Sequence, residues 1–525
     1  MADLPDLRIG IDVGGTNTDA VALDAEGRVV AKAKRPTTPD VTEGLRAALD
    51  AVLAELGQGQ DRVGRVMLGT THATNAILER RNLGRVAVLR LGAPATTSVP
   101  PLSGWPDDLR AAVSAGEAIV PGGHYVDGRE IGPPGLDAVR RFLDAALNAA
   151  AADAVAVTSV FSPASGEHER AVEELVKAEY GLPVSVSHEI GSLGLLEREN
   201  ATVLNAALYG VAAHVTEALV TALAERGLGA RPYLAQNDGT LMTLEHAARL
   251  PVSTIGSGPA NSLRGAAYLS GVRDAIVVDV GGTSTDLGVL AGGFPRESAA
   301  AVEIGGVLTN FRMPDILAIA LGGGTVVRSG GVGPDSVGYR IAGEALVFGG
   351  STATMTDAAV AAGRSPREAD GWHERLRTAV EAGDVPESTL KRAVAVADEM
   401  VIDAVDRMAL GRTDRPLVAV GGGAFLLPDD IPGASRVVRP EHAEVANAVG
   451  AAIALASGRV DTILPTGDSR TDAIERAKEE AAARAVAAGA DPSGVEIVDL
   501  IEVPLSYLSE PAVRIHVKAA GPLAR

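Results

Sequence analysis

The chain of 525 residues contains no cysteine. Disulfides, thiolate metal sites and a cysteine nucleophile are therefore excluded. Its nine histidines never occur at HxH, HxxH or HxxxH spacing, so the sequence also lacks a local zinc-binding motif. Each histidine taken alone is more typical of a surface or core position than of a metal ligand.

Basic and aromatic residues are scarce. The chain has 47 Lys and Arg residues against 67 Asp and Glu residues, which gives a formal net charge of −20. It has 2 Trp, 7 Tyr and 6 Phe residues. Nucleic acids and anionic membranes bind through clustered Lys and Arg, so this balance argues against both as partners. The cores must be filled mainly by aliphatic residues, and the length predicts two to four domains.

Several familiar segments are missing as well. No apolar run approaches the roughly 18 residues that a membrane span needs, and the first residues, MADLPDLRIGID, do not resemble a signal peptide, so we expect a cytoplasmic protein. There is no Gly-Lys dipeptide, GxGxxG or GxSxG. P-loop, Rossmann and serine-hydrolase interpretations therefore lack their motifs.

An internal repeat is the most informative feature that is present. Residues 11–23 read IDVGGTNTDAVAL and residues 278–290 read VDVGGTSTDLGVL, with eight of 13 positions identical at an offset of 279 − 12 = 267 residues. This offset is too long for a solenoid and indicates two related domains. In each copy apolar runs flank a Gly-Gly-Thr turn, which predicts a β-hairpin.

The rest of the pattern alternates strands with helices, which predicts an α/β fold of sheets flanked by helices. Helix 41–56, loops with short strands over 94–135 and a long helix over 195–224 that bridges the two halves are predicted. We predict three units: a first domain over 1–195, a second over 196–460, and a small α+β appendage over 461–525.

The two hairpins have the chemistry of a phosphate site. A glycine turn lets backbone N–H groups approach a ligand closely, and the nearby hydroxyls suit phosphate oxygens. Asp12 and Asp279 end the strands before the turns and suit a Mg²⁺ ion held largely through water. Two such hairpins facing each other would hold a triphosphate from both sides. The predicted ligand-binding residues are Gly14, Gly15, Thr16, Asn17 and Thr18 in the first hairpin, and Gly281, Gly282, Thr283, Ser284 and Thr285 in the second.

Two further glycine clusters follow apolar strands. Gly421, Gly422 and Gly423 are predicted to form a platform for a base and a ribose, and Gly322 and Gly323 a second contact with the nucleotide. A plain turn between two elements is the alternative for both clusters.

The carboxylates of the repeat have two interpretations. Asp12, Asp279 and Asp286 are predicted to be catalytic, with Asp12 and Asp279 as the metal ligands. The alternative is that these aspartates, and Asp19, only cap tight turns through backbone N–H groups.

In this order the motifs resemble the phosphate-1, phosphate-2 and adenosine motifs of the actin, sugar-kinase and heat-shock-chaperone ATPase superfamily. More narrowly, the chain resembles the hydantoinase A / 5-oxoprolinase family, which includes acetone carboxylase subunits. The segments that carry the resemblance are IGIDVGGTNTD (9–19), GTTHATNAILER (69–80), QNDGTLMT (236–243), SGPA (257–260), DVGGTSTD (279–286), LGGGT (321–325), VGPDSVG (332–338) and TMTDAAV (354–360). Members often have a glycine pair after SGPA, where this chain has Asn261 and Ser262.

The resemblance implies duplicated actin-like (ribonuclease H-like) domains with ATP and Mg²⁺ in the cleft between them. It implies an ATP-dependent hydrolase that phosphorylates the oxygen of a small cyclic amide, and a hydantoinase B-type partner subunit that completes the hydrolysis in a hetero-oligomer. The alternatives are a ketone carboxylase subunit of the same family, or a small-molecule kinase or non-enzymatic ATPase switch of the superfamily.

Overall fold

A computed structural model describes residues 6–37, 41–191, 193–298, 301–311, 313–366, 369–412, 414–465, 470–505 and 512–524. The remaining residues, which include 466–469 and 506–511 of the predicted appendage, lie outside the described residues. The strands are β1 Leu7–Val13, β2 Asn17–Leu23, β3 Val29–Pro36, β4 Val63–Thr70, β5 Val86–Ala93, β6 Ser114–Pro121, β7 Ala154–Ser159, β8 Val184–Val186, β9 Arg231–Ala235, β10 Leu241–Met242, β11 Ala275–Val280, β12 Thr285–Ala291, β13 Phe294–Pro295, β14 Val302–Ile304, β15 Val307–Thr309, β16 Ile316–Ile319, β17 Thr325–Arg328, β18 Gly331–Ser336, β19 Leu417–Val420, β20 Val437–Val438, β21 Ala456–Pro465, β22 Glu496–Leu505 and β23 Ala512–Gly521. The helices are α1 Val41–Leu56, α2 His72–Glu79, α3 Asp107–Val113, α4 Leu136–Ala150, α5 Glu167–Glu179, α6 Leu195–Ala207, α7 Tyr209–Glu225, α8 Leu244–Arg249, α9 Ser257–Ser270, α10 Ile341–Glu344, α11 Met355–Ala361, α12 Trp372–Ala382, α13 Glu387–Ala409, α14 Ala446–Ile453 and α15 Arg470–Ala487.

The predicted α/β fold is confirmed, and its largest sheet has nine strands in the order β22-β23-β21-β10-β9-β4-β1-β2-β3. Apolar strands form the centre of this sheet. All but one residue of β1 are buried, and the apolar side chains of β1 share one core with α1, α7 and α15. Strand β1 pairs antiparallel with β2 and parallel with β4.

The C-terminal segment differs from the prediction of a separate appendage. It has the predicted α+β character, but β21, β22 and β23 continue the nine-stranded sheet. Alternating apolar residues of β23 and the alanine face of α15 are buried in the same core as β1. A period-2 pattern predicts a strand but does not say which sheet it joins.

A second sheet repeats the arrangement around the first hairpin. Its order is β13-β12-β11-β19-β20, with β16 added to β12. Strand β11 pairs antiparallel with β12 and parallel with β19, as β1 does with β2 and β4. The registers correspond, because Asp12 lies opposite Asp19 and Asp279 opposite Asp286.

The third sheet is parallel throughout, in the order β6-β5-β7-β8. Helices α4 and α5 cover one face and α6 packs on β7. Helix α3 and strand β6 lie in the stretch 94–135 that was predicted as loops with short strands, so that prediction underestimated its regular structure.

The long helix predicted over 195–224 is two helices, α6 and α7, bent by 47° at Leu208. This pair lies between β8 of the third sheet and β9 of the nine-stranded sheet. The segments that pass between the two hairpin-bearing sheets contain α9 and α14 instead. The prediction that residues 195–224 bridge the two halves is therefore wrong. Within the described ranges no single helix has the length and apolar composition to cross a membrane, although the bent pair passes that test when counted together.

Helices α9 and α14 cross at close range between the two sheets. A methyl group added at Gly265 would overlap the carbonyl oxygen of Ala446, and one added at Gly450 would overlap that of Asn261. Glycine is needed at both positions because any Cβ would separate the backbones. The crossing places Asn261 and Ser262 of α9 and Asn447 of α14 within hydrogen-bond distance of the aspartates near the ends of β1 and β11.

Candidate functional site

A cleft of about 810 Å³ lies between the two hairpin-bearing sheets. The volume is within the range of small-molecule and cofactor sites. The predicted site residues that line it are Asp12, Gly14, Gly15, Thr16, Asn17, Asp279, Gly281, Gly282, Thr283, Ser284, Asp286, Gly323, Gly421, Gly422 and Gly423. Most of the residues predicted from the sequence are therefore brought together in one cavity.

The two turns are built alike and meet at their tips. Gly14 N–H donates to the carbonyl of Asn17 (3.0 Å), and Gly281 N–H donates to that of Ser284 (2.9 Å). A methyl group added at Gly282 would lie 3.0 Å from Thr16 Oγ1, so the second turn contacts the first. A ligand between the strand ends is thus approached by backbone from both sheets.

Three predicted residues do not line the cleft. The side chains of Thr18 and Thr285 are fully buried, and their hydroxyls bond to Thr37 Oγ1 (3.3 Å) and to the Leu321 carbonyl (2.5 Å). Alternation along β2 and β12 turns these hydroxyls away from the faces that carry Asp19 and Asp286. The prediction that these two hydroxyls provide donors to a phosphate is corrected accordingly.

The third of these residues, Gly322, packs beneath the second hairpin. A methyl group there would lie 2.7 Å from Thr283 N, and the next two glycines donate to the carbonyls of Gly281 (3.0 Å) and Gly282 (2.7 Å). This cluster supports the hairpin, and of its predicted members Gly323 lines the cleft.

Asp12 is buried in a polar setting made by α9 and α14. Its carboxylate accepts hydrogen bonds from Asn261 Nδ2 (3.2 Å) and Asn447 Nδ2 (3.1 Å), and Asn447 also bonds Asp19 Oδ2 (3.1 Å). Burial raises the pKa of Asp12 to about 6, and the charges of Asp19 and Asp279 act in the same direction. These contacts do not describe the capping role considered for Asp12, because both donors are side chains of distant helices.

Asp279 and Asp286 form the matching pair in the second sheet. Burial raises the pKa of Asp279, against a hydrogen bond from Ser262. Burial and the charge of Asp279 raise the pKa of Asp286 to about 7. Asp286 can therefore exchange a proton near neutral pH.

Glycines leave room for both strand-end carboxylates. A methyl group at Gly69 would overlap Asp12 Oδ1, and one at Gly421 would overlap Asp279 Oδ1. Gly69 lies on β4 beside β1, and Gly421 follows β19 beside β11. Both halves of the repeat therefore have a glycine on the strand neighbouring the aspartate, and this glycine leaves room for the carboxylate.

The charge of the cleft favours a divalent cation. Among the described lining residues, six are carboxylates, namely Asp12, Asp19, Asp279, Asp286, Glu303 and Glu444, and one, Lys34, is cationic. Lys34 Nζ pairs with Asp19 Oδ1 at 2.6 Å. Carboxylates with raised pKa values and few counter-charges fit a hydrated Mg²⁺ ion, which takes one or two carboxylates together with phosphate oxygens. The residues present therefore fit a magnesium-bound phosphate ester.

Three features of the cleft were missed from the sequence. Asn261 and Asn447 reach the carboxylates only through long-range packing, whereas Lys34 lies directly opposite Asp19 in the β2–β3 hairpin. The N-terminal turn of α9 also faces the cleft, and the dipole at a helix N-terminus favours an anion. Finally, an aromatic wall lines the cleft next to the 421–423 cluster, in which Trp372 packs edge-on against Phe348 (4.9 Å between ring centres) and Phe425 (6.2 Å).

Facing glycine hairpins, each preceded by a buried strand-end aspartate, line one acidic cleft between the two sheets. Comparison with protein families identifies the group: residues 8–180 match the hydantoinase/oxoprolinase N-terminal region and residues 198–460 match hydantoinase/oxoprolinase. The chain belongs to the hydantoinase/oxoprolinase family.

Curated relatives include two enzyme subunits. The acetophenone carboxylase gamma subunit of Aromatoleum aromaticum is 29% identical over 394 residues, covering 68% of this chain and 53% of the relative. The caprolactamase subunit alpha of Pseudomonas jessenii is 29% identical over 386 residues, covering 68% and 54%. The chain spans about half the length of the curated relatives it matches.

Solved structures share the fold. The ATP-dependent caprolactamase from Pseudomonas jessenii matches with a TM-score of 0.76 and 21% identity, and nucleotide-free acetone carboxylase with a TM-score of 0.69 and 19% identity. Each match covers 99% of this chain and 88% of the other chain.

Proposed function

We propose that this chain is the ATP-binding subunit of an ATP-dependent cyclic amide hydrolase, and that it phosphorylates the amide oxygen of a hydantoin, 5-oxoproline or lactam. The observation that carries the proposal is the pair of facing hairpins with Asp12 and Asp279 in one acidic cleft. A caprolactamase subunit among the relatives supports the substrate class.

In this proposal the backbone of Gly15, Thr16, Gly282 and Thr283 holds the phosphates, and Asp12 and Asp279 hold Mg²⁺. The cation neutralises the charge of the triphosphate and of the transferred phosphoryl group when bound. The glycines 421–423 and the aromatic wall receive the base and ribose, because a flat base packs well against aromatic rings and against backbone without side chains.

Asp286 has the proton-transfer role. When the amide oxygen attacks the γ-phosphorus, the bond to ADP breaks and the amide nitrogen becomes acidic. Asp286, with a pKa of about 7, accepts the N–H proton and leaves a neutral O-phosphorylated imidate. This product is a far better electrophile than the amide. One water adds to the imidate carbon and the ring C–N bond breaks, which gives an acyl phosphate and a free amine. A second water attacks the acyl carbon, and the C–O bond breaks to release phosphate that keeps the original amide oxygen.

A hydantoinase B-type partner subunit provides the hydrolytic step in this proposal, in a hetero-oligomer. The support is that curated relatives are named as subunits: a gamma subunit, a subunit alpha and the acetone carboxylase beta subunit. Ketone carboxylation is the second candidate function, because the acetophenone carboxylase subunit is as similar to this chain as the caprolactamase subunit.

Positional isotope exchange tests the first half-reaction on the single chain. ATP labelled with ¹⁸O in the β,γ-bridge is incubated with Mg²⁺ and a panel of cyclic amides and ketones. Reversible phosphoryl transfer to an amide scrambles the bridge label only when that amide is present. Scrambling with a ketone and bicarbonate alone would favour the carboxylase, and a stable phosphorylated metabolite would favour a kinase. ATP hydrolysis without dependence on any acceptor would favour the switch and contradict the proposal.

A further inference from the structure

A second polar centre lies at the carboxyl edge of the parallel sheet β6-β5-β7-β8, away from the cleft. The chain leaves β5 toward one edge of this sheet and returns to place β7 on the other side of β5. A crevice forms where strand order reverses in this way, and ligands of open α/β sheets bind there. The loop after β6 folds over this point, because His124 N–H donates to the Val160 carbonyl at the end of β7 (3.0 Å).

His124 is a buried polar side chain whose ring nitrogens make no hydrogen bond to the described residues. Its exposed fraction is 0%, and neither ring nitrogen has a hydrogen-bond partner among the described residues. A buried imidazole without hydrogen-bond partners is costly, so both of its nitrogens are available to a ligand. The ring lies against that of His168, with 4.2 Å between the ring centres.

Two further ligand atoms converge on this ring. His168 begins the first turn of α5 and is also buried, and its Nε2 lies 3.1 Å from Glu130 Oε1. Glu130 forms a β-bridge with His124 and is exposed. One ligand atom from each of His124, Glu130 and His168 lies within 4.8 Å of the others, and this is the single group of its kind in the described part of the chain.

We propose that His124, His168 and Glu130 bind a divalent transition-metal ion of the Zn²⁺ class. Two imidazoles and one carboxylate are a common three-ligand set for zinc, and the fourth position remains for water or a small ligand. Ligand atoms of a tetrahedral zinc site lie about 3.3 Å apart, so short side-chain movements complete the geometry. The exposed side of Glu130 gives the ion its path from solvent.

One hydrogen bond must change for the ion to bind. Gly123 N–H donates to His168 Nδ1 (3.0 Å), which places the imidazole proton on Nε2, toward Glu130. Metal binding through Nε2 requires the proton to move to Nδ1 and the peptide of Gly123 to turn. Gly122 and Gly123 both have positive φ, 136° and 104°, and the absence of side chains lets this peptide rotate at low steric cost.

The neighbouring residue holds α5 firmly in place. Glu169 is buried and accepts hydrogen bonds from Ser159 N–H (2.7 Å), His188 N–H (2.8 Å) and His188 Nδ1 (2.7 Å). This network fixes the first turn of α5 to the end of β7. His168 is therefore presented on a rigid support, as a ligand site requires.

Metal titration of the full, untagged chain tests the proposal. The chelator-treated chain is titrated with Co²⁺ in the presence of excess Mg²⁺, and Zn²⁺ is then added. We expect one Co²⁺ per chain with the ligand-field absorption of a tetrahedral nitrogen and oxygen site, and its displacement by Zn²⁺. No uptake of either ion would overturn the proposal.

Matched variants locate the site. Glu130→Gln changes an exposed side chain and removes a direct ligand. The Co²⁺ affinity should therefore fall by more than the about 10- to 100-fold that is typical when a residue hydrogen-bonded to a metal ligand is lost. His124→Asn should abolish binding, and Glu130→Gln carries the test if the buried variant fails to fold. Glu174→Gln, on the exposed side of α5, and Asp12→Asn, in the cleft, are controls that should bind one Co²⁺ as the parent does. Unchanged affinity in Glu130→Gln, or loss only in Asp12→Asn, would contradict the assignment.

Discussion

At the scale of single residues, the cleft depends on carboxylates that are kept in an unfavourable setting. Asp12 and Asp286 have pKa values raised to about 6 and about 7 by burial. Unlike the buried Glu169, whose hydrogen bonds hold α5 in place, these carboxylates have pKa values shifted upward and line a cleft, which is the setting of groups that handle a cation or a proton.

Replacing a strand-end carboxylate should separate function from stability. Asp12→Asn or Asp279→Asn is expected to lower the rate of ATP turnover by about 100-fold or more, because the proposed Mg²⁺ ion loses a negatively charged ligand. The melting temperature should not fall, since asparagine keeps the size of the side chain and removes a buried charge. Steady-state phosphate release and thermal unfolding measure the two effects, and a collapsed fold in both variants would restore the capping interpretation.

The raised pKa of Asp12 predicts how stability depends on pH. A carboxyl group with a higher pKa in the folded chain ionises first in the unfolded chain, so the free energy of unfolding falls as pH rises from about 4 to about 6. The share of Asp12 is on the order of 3 kcal/mol. Asp12→Asn should therefore lose less stability than the parent between pH 4 and pH 7 in magnesium-free and nucleotide-free buffer. Denaturant titrations at both pH values check this, and equal losses would contradict the assigned cause.

A glycine next to the carboxylate gives an independent test of its position. Gly69→Ala leaves every polar group in place, but its methyl group overlaps Asp12 Oδ1 and must displace it. We expect Mg-ATP affinity to fall about tenfold or more, because misplaced ligands lose geometry as well as charge. Gly210→Ala, where an added methyl group meets nothing within 4 Å, is the control and should bind as the parent does. Isothermal titration separates the two.

At the scale of elements, the crossing of α9 with α14 connects the two sheets. Gly265→Ala or Gly450→Ala would force these helices apart, because the added methyl group overlaps backbone of the other helix. Overpacking of this kind costs about 1–3 kcal/mol. Nucleotide affinity should fall as well, since Asn261 and Asn447 are carried by these helices. Chemical denaturation together with nucleotide titration measures both, and full affinity in a destabilised variant would show that the crossing does not position the cleft.

Elements were predictable from sequence where the signal is local. The hairpin 11–23 and helix 41–56 follow from apolar period, turn glycines and length, and the repeat identified the second hairpin without any structure. The polar partners of Asp12 were not predictable in this way, since Asn447 lies 435 residues away in the chain. Thr18 and Thr285 were assigned to the ligand because the motif contains them, whereas strand alternation turns them inward.

At the scale of the whole molecule, the arrangement of two similar sheets around one cleft predicts closure on a ligand. A ligand held by both hairpins favours the closed state by the difference in its affinity for the two states. Because the sheets are connected through α9 and α14, these helices are the expected hinge. Small-angle scattering should give a smaller radius of gyration with Mg-ATP than without it, and the same radius in both conditions would contradict closure.

The low content of basic residues also has meaning at this scale. A chain of net charge −20 has one lysine among the described residues that line its cleft, so an anionic triphosphate must be bound through backbone N–H groups, helix termini and a divalent cation. Chelation of Mg²⁺ should consequently remove nucleotide binding altogether.

The central claim is that the cleft transfers the γ-phosphoryl group of ATP to an amide oxygen. The most direct measurement uses a cyclic amide labelled with ¹⁸O in its carbonyl group, turned over by this chain together with the proposed partner subunit. The account predicts that one labelled oxygen per turnover appears in the released phosphate. Unlabelled phosphate, with all of the ¹⁸O retained in the ring-opened acid, would contradict it.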